Sequence, residues 1–323
     1  MRILAADIGA TNARFAIVEV DGEAARIRFE RTYASGRFAG FEPALETFVG
    51  ELKRAHGDSL ASSRAAIAAA GPVQRGEVRI SNRPSWRISR RALESALGIE
   101  ALVLNDFEAL GFGVAHASAE DWIVLQPGSA VAQANMALVG AGTGLGVSAL
   151  VWDGRRHLPV PTEAGHIAFA PRDEIQVALW RHLLKRHARV SAERVISGAG
   201  IAAIHGFLRE SNPGAQSEPL DDPAAIAARA LAEPAGIAGR ALELFVACYG
   251  AFAGDIALAF LARGGLYVCG GIAAKLARRL ADGEFLSQFN AKGRHSALAA
   301  SIPLRLVINE KLGLLGAAAA ARG

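Results

Sequence analysis

Five side chains in this sequence have the types needed to grip a polyhydroxylated ligand such as an aldohexose: Asn105, Asp106, Glu163, His166 and Glu193. Vicinal hydroxyls both donate and accept, so amides, imidazoles and carboxylates bind them in pairs. One carboxylate of such a set can also take the proton from an attacking hydroxyl. Each residue has a plainer reading. Asp106 stands ahead of a helical stretch and reads equally as its N-cap. Glu163 and His166 could form a metal pair, with no third ligand at a suitable spacing. Glu193 alone is a surface ion-pair residue. Spacing leaves these alternatives open.

A second group surrounds glycine. Asp7-Ile8-Gly9-Ala10-Thr11-Asn12, Gly140-Ala141-Gly142-Thr143-Gly144-Leu145-Gly146 and Gly270-Gly271 each follow a short apolar run. Phosphate oxygens need close approach of backbone N–H groups, which glycine permits because it lacks a Cβ. Thr11, Asn12 and Thr143 add side-chain donors. One such turn is an ordinary hairpin; three together point to a nucleotide site. No GxxxxGK[ST] motif is present, the glycine-rich turn does not match GxGxxG, and the protein-kinase motif set and GxSxG are missing.

These residues need strands and helices to hold them. Ile3 to Ala6, Ala13 to Val20, Ala65 to Ala70, Ala101 to Leu104, Ala137 to Val139, Val147 to Trp152, Leu266 to Cys269 and Leu304 to Ile308 read as strands. Helices are expected at 41–56, 108–116, 244–262, after Gly270-Gly271 and in the alanine-rich C-terminus. Pro213 to Pro223 reads as an exposed loop, and 159–166 as another. The two strand–turn–strand segments near residues 7 and 140 share a design without repeating in sequence. Strands alternating with helices imply α/β layers.

Composition narrows the class. The chain has 323 residues, 51% hydrophobic and 20% charged, with a formal net charge of +4. That length suits two domains. The basic residues are scattered and mostly Arg, so no nucleic-acid partner is expected. Cys248 and Cys269 form no metal or disulfide pattern, which suits a reducing cytoplasm. Asp7 breaks the N-terminal apolar run, so no signal peptide is expected there. Leu244 to Ala262 is long enough to span a membrane. Gly250, Gly254 and Asp255 inside it, and Glu243 and Arg263 at its ends, make it instead a core helix.

The motifs together resemble the bacterial glucokinases that lack a zinc-binding cysteine motif. The matching stretches are Asp7 to Arg14, Leu104 to Phe107, Gly140 to Gly146, Glu163 to His166, Ser191 to Val195 with Ser197-Gly198, Gly270-Gly271 and Leu312 to Gly316. They follow the family's order along essentially the whole chain. The resemblance implies an α/β, actin-like (ribonuclease H-like) fold of two domains with an active-site cleft between them. The expected small domain is 1–116 plus 303–323, and the large one 117–302. It implies ATP-dependent phosphorylation of glucose at its 6-hydroxyl, with Asp106 as the base. Asn105, Asp106, Glu163, His166 and Glu193 would contact the sugar. Ala6, Asp7, Ile8, Gly9, Ala10 and Thr11, then Gly142, Thr143 and Gly144, then Gly270 and Gly271, would hold ATP. Mg²⁺ would arrive with ATP, through water from Asp7. A homodimer is expected on the same grounds. Ala164 and Ala10 replace glycines usual in the family, which touches substrate range and not reaction class.

Of three other readings, only the last stays open. A non-enzymatic actin-like nucleotide switch has no use for the five polar residues. A sugar-responsive repressor needs a DNA-binding segment, for which the stretch before residue 7 offers no room. A kinase of another hexose fits the same residues.

Overall fold

The computed structural model describes residues 1–22, 24–58, 61–212 and 219–322. Residues 213–218 of the expected exposed loop lie outside this set. The strands are β1 Arg2–Ile8, β2 Asn12–Asp21, β3 Ala24–Ala34, β4 Arg64–Ala69, β5 Glu77–Arg79, β6 Arg87–Ser89, β7 Glu100–Asn105, β8 Trp122–Gln126, β9 Met136–Ala141, β10 Leu145–Trp152, β11 His157–Thr162, β12 Gly265–Cys269 and β13 Leu304–Val307. The helices are α1 Phe41–His56, α2 Arg90–Leu97, α3 Asp106–Ala115, α4 Glu174–Leu184, α5 Gly198–Glu210, α6 Pro223–Ala232, α7 Ile237–Ala259, α8 Gly271–Lys275, α9 Ala277–Leu280, α10 Glu284–Asn290, α11 Ser296–Ser301 and α12 Leu312–Ala320. The chain divides into two compact units. One comprises Met1–Ala119, His157–Pro161 and Asn309–Gly323, the other Glu120–Arg156 and Thr162–Ile308.

The sheet of the first unit runs β3-β2-β1-β4-β7. β1, β2 and β3 are antiparallel neighbours, whereas β1, β4 and β7 run parallel. Alternation along β1 sorts its residues between two apolar clusters. Leu4, Ala6 and Ile8 join Phe15, Ile17 and the α1 residues Phe41, Ala44, Leu45 and Phe48 on one face. Ile3 and Ala5 join Ala16, Val18, Ala109 of α3 and Leu314, Ala317 and Ala318 of α12 on the other. A strand buried on both faces reads as a continuous apolar run, which β1 and β4 do.

The second unit repeats the plan. Its strands run β10-β9-β12-β13-β8, with β9 and β10 antiparallel and β9, β12 and β13 parallel. Its apolar cluster centres on α7, which contacts strands, α5, α6 and α10. Among the described residues α7 alone is long and apolar enough to cross a membrane, and 83% of its most apolar window is buried within the protein. The expected helix at 244–262 thus starts seven residues earlier, at Ile237, and ends at Ala259.

Five strands went unseen in sequence: β3, the short β5 and β6, β8 and β11. β3 carries Arg26, Arg28, Arg31 and Glu30, and pairs along the length of β2 at the sheet edge. Charged side chains are tolerated there because one side of the strand has no neighbour. β11 contains Pro159 and Pro161. Proline lacks the ladder donor, which is why the stretch reads as a loop, and edge positions accept it.

Candidate active site

In the first unit the relevant residues gather where parallel strands end. Pairing places Ile8 opposite Ala69, and Ala69 opposite Asn105. The turn that follows β1 and the Asn105-Asp106 pair that ends β7 therefore lie along one edge, with β4 between them. Two strand spacings set them about 10 Å apart. The turn itself is narrower than expected, because Asp7 and Ile8 complete β1 and Asn12 opens β2. Gly9 N donates to Asn12 O at 2.9 Å, closing it. Ala6 and Ile8 are buried in the core and their backbones sit in the β ladder, so they anchor the turn.

Two residues that sequence reasoning passed over also hold this turn. Ser35 donates through Oγ to Gly9 O at 3.0 Å and through N to Thr11 O at 2.8 Å. Arg83 Nε donates to Ala10 O at 3.2 Å. Both reach the turn from outside its own segment, and no local pattern announces such contacts.

Asp7 is the acidic group of the turn. Its side chain keeps 27% of its surface exposed. Burial pushes its carboxyl above the ordinary value, while the Arg14 guanidinium, 4.0 Å away, pulls the other way. Arg14 is itself held by Glu310, at 2.9 Å to the carbonyl and 2.6 Å to the carboxylate. A partly desolvated carboxylate beside a phosphate-type turn suits a hydrated divalent cation. Among the described residues no group of three or more His, Cys, Asp or Glu could ligate a metal directly.

The N-cap alternative weighed for Asp106 falls to its neighbour. Asn105 Oδ1 accepts from Phe107 N at 2.9 Å and Glu108 N at 3.3 Å, and Glu108 Oε2 reaches back to Asn105 N at 3.3 Å. This capping box starts α3. Asn105 Nδ2 also donates to Gly71 O at 3.0 Å. Asp106 occupies the first helical turn, half-buried, with Oδ1 accepting from Phe107 N at 3.0 Å.

In the second unit Glu163, His166 and Glu193 come together. Glu163 precedes a single 3₁₀ turn, Ala164–His166, and its carbonyl accepts from His166 N at 2.9 Å. His166 Nε2 stands 3.8 Å from Glu163 Oε2, and Nδ1 stands 3.8 Å from Glu193 Oε1. Ala164 is tied to Thr162 Oγ1, which accepts from its N–H at 3.2 Å. The other oxygen of Glu193 accepts from Leu145 N at 3.0 Å. Leu145 follows the turn Gly142-Thr143-Gly144, so one carboxylate touches both the polar cluster and the glycine turn. That approach needs glycine: a Cβ on Gly144 would lie 2.6 Å from Glu193 Oε2.

The glycine turns of this unit also adjoin. Cys269 pairs with Gly140, so β9 and β12 end side by side. Gly270 follows with φ of 90°, and a Cβ there would fall 2.5 Å from Ala141 O. Gly198 N donates to Gly142 O at 2.9 Å, bringing the start of α5 to the same place. Ser197 caps that helix, accepting from Gly200 N at 3.1 Å. Several N–H-rich backbone segments thus converge, the arrangement that phosphate groups favour.

Two sheets on one plan, each with an antiparallel hairpin turn followed by parallel strands, define the actin-like, ribonuclease H-like class of sugar-kinase fold. The comparisons with known proteins agree. The glucokinase family model matches residues 4–323. A curated glucokinase of Nostoc sp. is 36% identical, covering 98% of this chain and 97% of its own. The crystal structure of a glucokinase from an Antarctic psychrotroph is similar at 32% identity and a TM-score of 0.86, over 99% and 98% of the two chains. A ROK family glucokinase from Streptomyces griseus, in complex with glucose and AMPPNP, shares the fold at 19% identity and a TM-score of 0.66, over 100% and 99%. The chain belongs to the glucokinase family.

Proposed function

We propose that this protein transfers the γ-phosphoryl group of ATP to the 6-hydroxyl of glucose, giving glucose 6-phosphate and ADP. One observation supports it most: the Asp7 turn and Asp106 share one edge of one sheet, a single strand apart. Family membership supplies the reaction class. In this reading Asp106 accepts the proton of the attacking hydroxyl. Asn105, Glu163, His166 and Glu193 bind the remaining hydroxyls. The turns at 9–11, 142–144 and 270–271 hold the nucleotide. Phosphoryl transfer asks little covalent chemistry of the protein, so positioning and charge stabilisation carry the rate. Mg²⁺, accompanying ATP and touching Asp7 through water, would neutralise charge on the phosphates.

The reading extends to a reducing cytoplasm, which suits the two free, buried cysteines Cys248 and Cys269. The homodimer rests on family resemblance and is checked by sedimentation. The deciding measurement is a coupled assay of ADP release with ATP, Mg²⁺ and a panel of hexoses. Glucose should lead, with galactose lower by roughly two orders in kcat/KM, because a closed polar site leaves groups unpaired when a hydroxyl is inverted. Equal turnover of the two would overturn the glucose assignment and leave a hexose kinase of another specificity.

A further inference from the structure

We propose that an arginine-lined groove beside the β5–β6 hairpin is a second ligand site, one that takes a compact anion carrying two or more phosphate groups. The groove encloses about 1010 Å³, room enough for a small-molecule ligand. Arg75, Arg79, Arg87, Arg90 and Arg91 line it against a single acid, Glu77. All five arginines are exposed, and all belong to the first unit.

The arrangement is unfavourable without a ligand in four respects, three of them electrostatic. Arg79 and Arg87 face each other directly across the antiparallel hairpin, and like charges so placed repel. Among the described residues Arg75, Arg79, Arg87 and Arg91 form no ion pair, and Arg90 has only Glu94 at 3.8 Å. Arg75 holds a φ of 54°, a left-handed conformation uncommon outside glycine. Finally, α2 begins at the groove with Arg90 and Arg91 in its first turn, no acid there, and no side-chain cap from Ser89. A helix start favours negative charge, so cations at this end lose energy.

A polyphosphorylated anion offsets the three electrostatic ones. The guanidinium fork matches phosphate oxygens two at a time, and five forks exceed what a single monoanion neutralises. The lining comes from one hairpin and one helix start, which suits a compact ligand and not a long strand. An oligophosphate and a bisphosphorylated sugar share this chemistry.

Calorimetry on the full chain tests the site, at about 50 mM salt to limit screening. The nucleotide site is first filled with a non-hydrolysable ATP analogue. Inorganic tripolyphosphate and glucose 1,6-bisphosphate are the probes, and the tighter of the two identifies the source of the phosphates. The expected result is saturable one-site binding, weakened at least about tenfold by the double change Arg79→Ala and Arg87→Ala, with the kcat and KM for glucose unchanged. Ligand-free, the double variant should melt no lower than the parent, since a repulsion has been removed. The probe should raise the melting temperature of the parent and not of the variant. The proposal fails if neither probe saturates, if the variant binds as tightly as the parent, if sulfate at equal charge competes as well as either probe, or if an oligothymidine binds more tightly.

Discussion

The polar residues of the two units are held in opposite ways. Asn105 and Asp106 stand on a strand end and a helix start, with Asn105 committed to three backbone partners. Glu163 and His166 stand on a single 3₁₀ turn, with 60% and 54% of their side chains exposed and the nearest charged side-chain atoms 3.8 Å away. The first pair is set by the fold before any ligand arrives. Among the described residues the second has no side-chain hydrogen bond to fix it, whereas Glu193 beside it is held by Leu145 N. Stability and activity should therefore be coupled in the first pair and separable in the second.

The largest expected effect is at Asp106. Asp106→Asn keeps the shape and removes the proton acceptor, so kcat should fall by about 10²- to 10⁴-fold while ATP affinity survives. Steady-state kinetics and nucleotide titration check this. Retention of more than about a tenth of turnover would remove Asp106 from the role of base.

Glu193 comes next and divides the second unit. Glu193→Gln retains an acceptor for Leu145 N but loses the charge, so glucose affinity should drop about tenfold with ATP affinity little changed. Glu193→Ala frees the Leu145 N–H as well, and both affinities should fall. If the two variants behave alike, the carboxylate does not serve the glycine turn.

A smaller contrast separates Asn105 from Glu163. Asn105→Ala removes an N-cap and should cost about 1 kcal/mol of stability besides its effect on sugar binding. Glu163→Gln should leave the denaturation midpoint where it was and raise KM for glucose. A stability loss at Glu163 equal to that at Asn105 would erase the contrast between the units.

The least effect is a dependence on pH. The folded protein holds the Asp7 proton more tightly than the unfolded chain does. Stability without ligand should thus decline as pH rises from 3.8 through the raised value of Asp7, and be lower above it. Asp7→Asn should flatten that decline, as melting curves across pH would show. An unchanged decline in the variant would assign the pH effect to another group.

Much of this was legible in the sequence, for identifiable reasons. Helix α1 announces itself at Phe41–His56 by its spacing of Phe41, Ala44, Leu45, Phe48 and Leu52 on one face. Strands β1 and β4 read as unbroken apolar runs because they are covered on both sides. The three glycine turns were visible because phosphate-type turns are local. Ser35 and Arg83 were not, since their contacts with the first turn depend on how distant segments fold. Nor could spacing decide between Asn105 and Asp106 as the cap, which only the helix boundary settles. β3 was legible but unread, since Ile27, Phe29 and Tyr33 alternate with Arg26, Arg28, Glu30 and Thr32, and only Arg31 breaks the period of two.

The glycines on α7 bear on how the protein is made. A Cβ on Gly250 would lie 2.2 Å from Phe285 O, and one on Gly254 would lie 2.3 Å from Phe289 O, so α10 seats directly on this face. Helix α7 ends at Ala259 and α10 at Asn290. A ribosome adding about 5–20 residues per second takes roughly 2–6 s to cross that interval. Through those seconds a 23-residue apolar segment has left the ribosome without its cover. The nascent chain then presents, uncovered, a segment long and apolar enough to cross a membrane.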